Sequence, residues 1–94
     1  MNLTMTHKER RAAIRVEVAQ ELMGNCIANW SAVWSQEDDK PEPDAAVIAH
    51  AEAEILRISE VRDTMSHDDL AQVEALITEY SALVGKLYGV PDGA

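Results

Sequence analysis

From Leu70 to Leu87 the apolar residues Leu70, Val73, Ile77, Tyr80, Val84 and Leu87 follow one another at alternating steps of three and four. That spacing lines them up along one side of an α-helix and matches neither the alternation nor the short apolar run of a strand. The same rhythm recurs twice upstream. Ala12, Val16, Ala19, Met23, Cys26, Trp30 and Val33 form one seam, widened by Ile27 and Trp34. Ile48, Ala51, Ile55, Ile58, Arg62 and Met65 form another, widened by Val47 and Val61. Stretches with this one period predict an all-α protein in which three long helices pack as a bundle.

Local signals place the ends. Thr6 with Glu9 three residues on is a capping box, so the first helix is expected over about 6–35. The stretch SQEDDKPEPD, residues 35–44, then breaks it with two prolines and a run of acids, which predicts a loop over 36–43. Pro43 suits the first turn of a second helix over about 44–65. Ser66 with Asp69 is a weaker capping pattern that predicts a third helix over about 67–88, ended by Gly89, Pro91 and Gly93. The short link between helices two and three predicts an antiparallel hairpin. A chain of 94 residues makes a single domain, covering 1–94. Helices this long in so small a chain, with Ile14 and Val18 off the first seam and Leu76 and Leu83 beside the third, predict a second buried face and hence a homo-oligomer, in the first instance a dimer.

Charge narrows the partners. The net charge is −9, but residues 1–15 carry Lys8, Arg10, Arg11 and Arg15 against Glu9, for +3. Residues 16–94 carry four positive and sixteen negative side chains, for −12. So acidic a surface repels phosphates, so direct nucleic-acid binding is not expected and the expected partner is a basic or nucleic-acid-binding protein. The basic segment 7–15 lacks any recognition-helix context. It is expected to be solvated or paired with acids of the 37–44 loop, its own or another subunit's. The lone cysteine, Cys26, precludes an intrachain disulfide, and nothing resembles a signal peptide or a membrane span. A cytoplasmic location with no membrane association is therefore expected, and the glycosylation triplet Asn29-Trp30-Ser31 is read as incidental.

Catalytic patterns are incomplete. His50 and Glu54 stand four apart on one helix face, as helical metal ligands do, but no second spaced pair completes a set. Glu60 and Asp63 match half of the carboxylate pattern of helical nucleotide pyrophosphohydrolases, whose first half is absent because Glu52 and Glu54 are only two apart. Cys26 lies on the apolar seam, where an inert buried thiol is expected. No nucleophile elbow or phosphate loop occurs. No catalytic residue, metal ligand or cofactor site is therefore assigned, and the chain is expected not to be an enzyme. Arg62, a cation on the second seam, is expected either to snorkel or to pair with Glu74 or Glu79.

In size, acidity and helical make-up the chain resembles the inhibitors that bacteriophages and mobile elements encode, anti-CRISPR and DNA-mimic proteins among them. The resemblance implies a non-catalytic inhibitor or adaptor whose carboxylates engage a basic groove. The residues expected to meet that partner are Trp34, Glu37, Asp38, Asp39, Glu42 and Asp44, with Trp30 held in the core. The alternatives are an antitoxin or regulatory subunit that masks an apolar partner surface, and a helical metal-binding or hydrolase bundle.

Overall fold

The computed structural model describes residues 4–87 and contains three helices, α1 His7–Asp38, α2 Ala45–Thr64 and α3 Leu70–Leu87, with no strand among those residues. Residue 88 and the terminators Gly89, Pro91 and Gly93 lie outside the described residues.

α1 starts as its capping box predicts. Thr6 is extended (φ −66°, ψ 162°), its Oγ1 accepts from Glu9 N at 3.0 Å, and Glu9 Oε2 accepts from Thr6 N at 3.1 Å. At the other end α1 runs three residues past Ser35, to Asp38, because Glu37 has a tertiary partner that steadies the last turn. Its Oε1 pairs with Lys40 Nζ at 2.9 Å and its Oε2 accepts from Asp44 N at 3.1 Å. The break shrinks accordingly to residues 39–44. Asp44, not Pro43, opens α2: its Oδ1 accepts from Ala46 N at 2.9 Å, and Pro43 stands one residue outside this cap.

α3 starts three residues later than expected. Asp69 Oδ1 accepts from Gln72 N at 3.0 Å, and Gln72 Oε1 reaches back to Ser66 N at 2.8 Å. Aspartate caps as well as serine does, and the Gln72 N–H is taken by Asp69, so the cap moves from Ser66 to Asp69, while the Gln72 side chain ties the link at Ser66. Residues 65–69 form the link.

The three helices pack around one core, and the close backbone approaches are those of α1 with α2 and of α1 with α3. α2 runs antiparallel to α1, since Asp44 meets Glu37 near one end while Arg62 lies beside Gly24. α3 runs parallel to α1, since Arg15 meets Glu74 while Leu83 and Leu87 lie near Cys26 and Trp30. α2 and α3 are thus antiparallel, as the short link predicts. They lean on α1 more closely than on each other, and long side chains such as Arg57, which reaches Tyr80, connect them.

The core is what the seams specify: Val16, Ala19, Met23 and Cys26 from α1, Ile58 and Met65 from α2 and its end, and Val73, Ile77 and Tyr80 from α3. Ala19 and Ala51 have no exposed surface, and their small side chains let the neighbouring backbones approach. Met23 is among the largest fully buried side chains and sits midway along α1. Truncating Met23→Ala removes core volume that rigid neighbours refill only partly. It is expected to cost about 2–5 kcal/mol, read as a lower urea midpoint at unchanged m-value.

Candidate interaction surfaces

The acidic turn after α1 divides into structural and free carboxylates. Glu37 is only 7% exposed, and both its oxygens are engaged within the chain. The Lys40 ammonium, and then the Asp44 N–H, hold its carboxyl below the ordinary glutamate value. Asp44 is committed as the α2 cap. Glu37 and Asp44, both of the expected partner set, therefore also hold the turn. Asp38, Asp39 and Glu42 remain exposed. Trp34 is half-buried, and its Nε1 donates to Glu52 Oε1 at 2.9 Å, which ties the end of α1 to α2. Trp30 is also half-buried, at the edge of the core, with its ring edge-on to His50 at 5.1 Å.

Other cations of the acidic part are likewise held by acids of the same chain. Arg57 Nη2 reaches Glu54 Oε2 at 2.7 Å, which keeps the Glu54 carboxyl low, and Arg57 also approaches Tyr80. Arg62 is half-buried along α1 beside Gly24, with its Nε 3.9 Å from Asp63 Oδ1. It snorkels rather than pairing with Glu74, whose carboxylate takes both Nε and Nη2 of Arg15 at 2.7 and 2.8 Å.

Exposed carboxylates line the outer side of α2, where Glu52 also accepts from Trp34 Nε1 and Asp63 stands 3.9 Å from Arg62 Nε. Glu52, Leu56, Glu60 and Asp63 are exposed at helical spacing along the side away from the core. Leu56 is 70% exposed, more than any other large hydrophobic residue among those described. Sequence reasoning passed over it because it follows Ile55, which belongs to the seam. The available signal was an apolar residue flanked at four-residue steps by Glu52 and Glu60, on the opposite side of the helical wheel.

The expected oligomer residues also separate. Val18, Leu76 and Leu83 are partly buried against the chain's own core, while Ile14 is 53% exposed. At the far end, His7, Lys8, Arg11 and Arg15 border a cleft of ≈ 320 Å³ with Leu70 and Glu74. α1 is continuous from His7 to Asp38, about 48 Å at 1.5 Å per residue, so the basic segment cannot reach its own acidic turn.

Cys26 is buried, and burial pushes its thiol up, away from the thiolate. His50 faces Trp30 and Glu54 pairs with Arg57, and no three His, Cys, Asp or Glu side chains converge as metal ligands among the described residues. No helix among them is long and apolar enough to cross a membrane. No protein-family model, no curated protein and no solved structure matches this chain.

Because Glu37 is stabilised as the anion in the folded state, its contribution is present above about 4.5, the ordinary glutamate value, and is lost as pH falls through the lowered folded value. The thermal midpoint of Glu37→Gln is expected to lie below that of the parent at pH 7. A pH series is expected to close the gap below pH 4.5.

Proposed function

We infer that the chain is a non-catalytic protein-binding protein, an inhibitor or adaptor of the kind bacteriophages and mobile elements encode, which engages a basic partner through acidic helix faces. The observation that carries this reading is the outer face of α2. Leu56 stands there as an exposed apolar centre between Glu52 and Glu60, with Asp63 one turn further and the free acids Asp38, Asp39 and Glu42 beyond the N-terminal end of the helix.

The physics of such a face is favourable for a basic groove. Its carboxylates are fixed on a helix, so little side-chain and backbone order is lost on binding. Lys40 and Arg57 are paired with Glu37 and Glu54 and do not neutralise the outer acids, while Arg62, 3.9 Å from Asp63, offsets one of them. Like charges held together raise the local potential and speed encounter with a cationic surface. Leu56 supplies what charge alone lacks, an apolar contact that is desolvated at the centre of a polar rim.

A second reading has its own support. Ala45, Ala49 and Ala53 are exposed on the same side of α2 as Leu56, which makes that side apolar enough to mask a hydrophobic patch, as a regulatory subunit or antitoxin does. Salt separates the two. With a partner captured from the native host, the charge reading expects affinity to fall at least tenfold between about 0.1 and 0.5 M salt. It expects Glu60→Lys/Asp63→Lys to abolish capture, and Leu56→Ala to weaken binding about tenfold, near 1.4 kcal/mol. Affinity that is flat with salt and indifferent to the charge reversals, yet lost with Leu56→Ala, favours masking. These positions are exposed, so each variant is expected to stay within about 0.5 kcal/mol of the parent in stability.

A further inference from the structure

The outward side of α1 carries Arg10, Ile14, Glu17, Glu21, Ala28, Ala32, Ser35 and Asp39, all exposed and spaced by threes and fours except across the middle, where Gly24 stands. Its N-terminal half bears the large side chains and its C-terminal half the small ones. Its two ends carry opposite charges, and each has the wrong sign for the helix dipole, with cations at the N-terminus and acids at the C-terminus. Among the described residues no acid pairs with Arg10 or Arg11 (Arg10 Nη2 donates to the Met5 carbonyl at 3.2 Å), and no cation pairs with Asp38 or Asp39. A straight helix of about 48 Å prevents these ends from meeting within one chain.

We propose that this side of α1 is a self-complementary dimer surface on which a second copy docks antiparallel about a two-fold axis between Gly24 and Asn25. Turning the helix end for end about that point sets Arg10 against Asp39 of the other copy. It also sets Ile14 against Ser35, Glu17 against Ala32 and Glu21 against Ala28. Every large side chain of the N-terminal half meets a small one, and Arg10 meets the opposite charge of Asp39. The spacing is that of helices packed at a shallow angle, which keeps the ends in reach along the length of α1. A two-fold arrangement satisfies both ends at once and closes on itself.

Gly24 supplies an independent observation at the crossing point. Glycine in a helix interior is about 1 kcal/mol less favourable than alanine. Nothing inside the chain calls for it: a Cβ built at Gly24 would have a single neighbour within 4 Å, Arg62 Nη1 at an ordinary 3.9 Å. Close approach of a second backbone does account for it. The surface differs from the expected Ile14, Val18, Leu76 and Leu83 set, of which it keeps only Ile14, and it leaves the outer face of α2 open on both copies.

The test is sedimentation equilibrium on the whole chain, with circular dichroism to confirm helicity. The parent is expected to reach a limiting mass of twice the chain at tens of micromolar protein and about 0.05 M salt, and to dissociate at least tenfold more readily at about 0.5 M. Arg10→Glu and Asp39→Arg are each expected to be monomeric. Both reversals suit the helix dipole better than the parent residues do, so neither is expected to unfold α1. Mixed one to one, the two variants are expected to form a heterodimer, because both ends are then complementary. Gly24→Leu is expected to be folded and monomeric. A monomeric parent at low salt, a mass that grows without limit, or folded variants that fail to associate when mixed would each overturn the proposal.

Discussion

The strip Val16, Ala19, Met23 and Cys26 on α1 is the constraint on which the remaining structure rests. Both other helices bury their apolar sides against it, α2 in one direction and α3 in the other, and neither approaches its neighbour's backbone as closely as it approaches α1. Ala19 makes this possible, because a fully buried small residue in the middle of the strip lets two helices close in from either side. One helix that serves as the common wall has to outlast each partner in length, and α1 has 32 residues against 20 and 18. The same division of labour leaves the opposite side of α1 uncovered along its whole length.

The periodicity made the core legible. All nine buried core residues lie on seams read from spacing alone, because a helix that packs on one side has to repeat its apolar residues near every third or fourth position. What the spacing left open was the cause of the seams' width. Val18, Leu76 and Leu83 suggested a second interface, yet in a three-helix core each helix touches two neighbours, and its stripe is correspondingly broad. The ends were less legible because they depend on competition. Asp69 displaces Ser66 as the α3 cap by accepting from Gln72 N, and Glu37 extends α1 through a bond to Asp44 N that no local pattern encodes.

The candidate surfaces were half legible for a related reason. Composition shows an excess of acids but not which of them the fold consumes. Glu37, Asp44, Glu54 and Glu74 are held by Lys40, the α2 backbone, Arg57 and Arg15. The acids that remain, Asp38, Asp39, Glu42 and Glu60 among them, lie outside these pairs. Leu56 escaped notice because a single apolar residue on a polar face has no period to announce it, and its meaning comes from the exposed carboxylates to either side.

Charge placement along α1 follows from the same accounting. Had helix stability alone set the ends, acids would occupy the first turns and cations the last, and Glu9 within its capping box is the one first-turn acid that obeys. Arg10 and Arg11 near one end and Asp38 and Asp39 at the other oppose that preference. The cost per charge is a few tenths of a kcal/mol to about 1 kcal/mol at exposed helix ends. Among the described residues no opposite charge pairs with Arg10 or Asp39, whereas in the proposed dimer each would meet the other. Charge set against the local dipole lowers the stability of the separate chain, which is the term that the proposed pairing would recover.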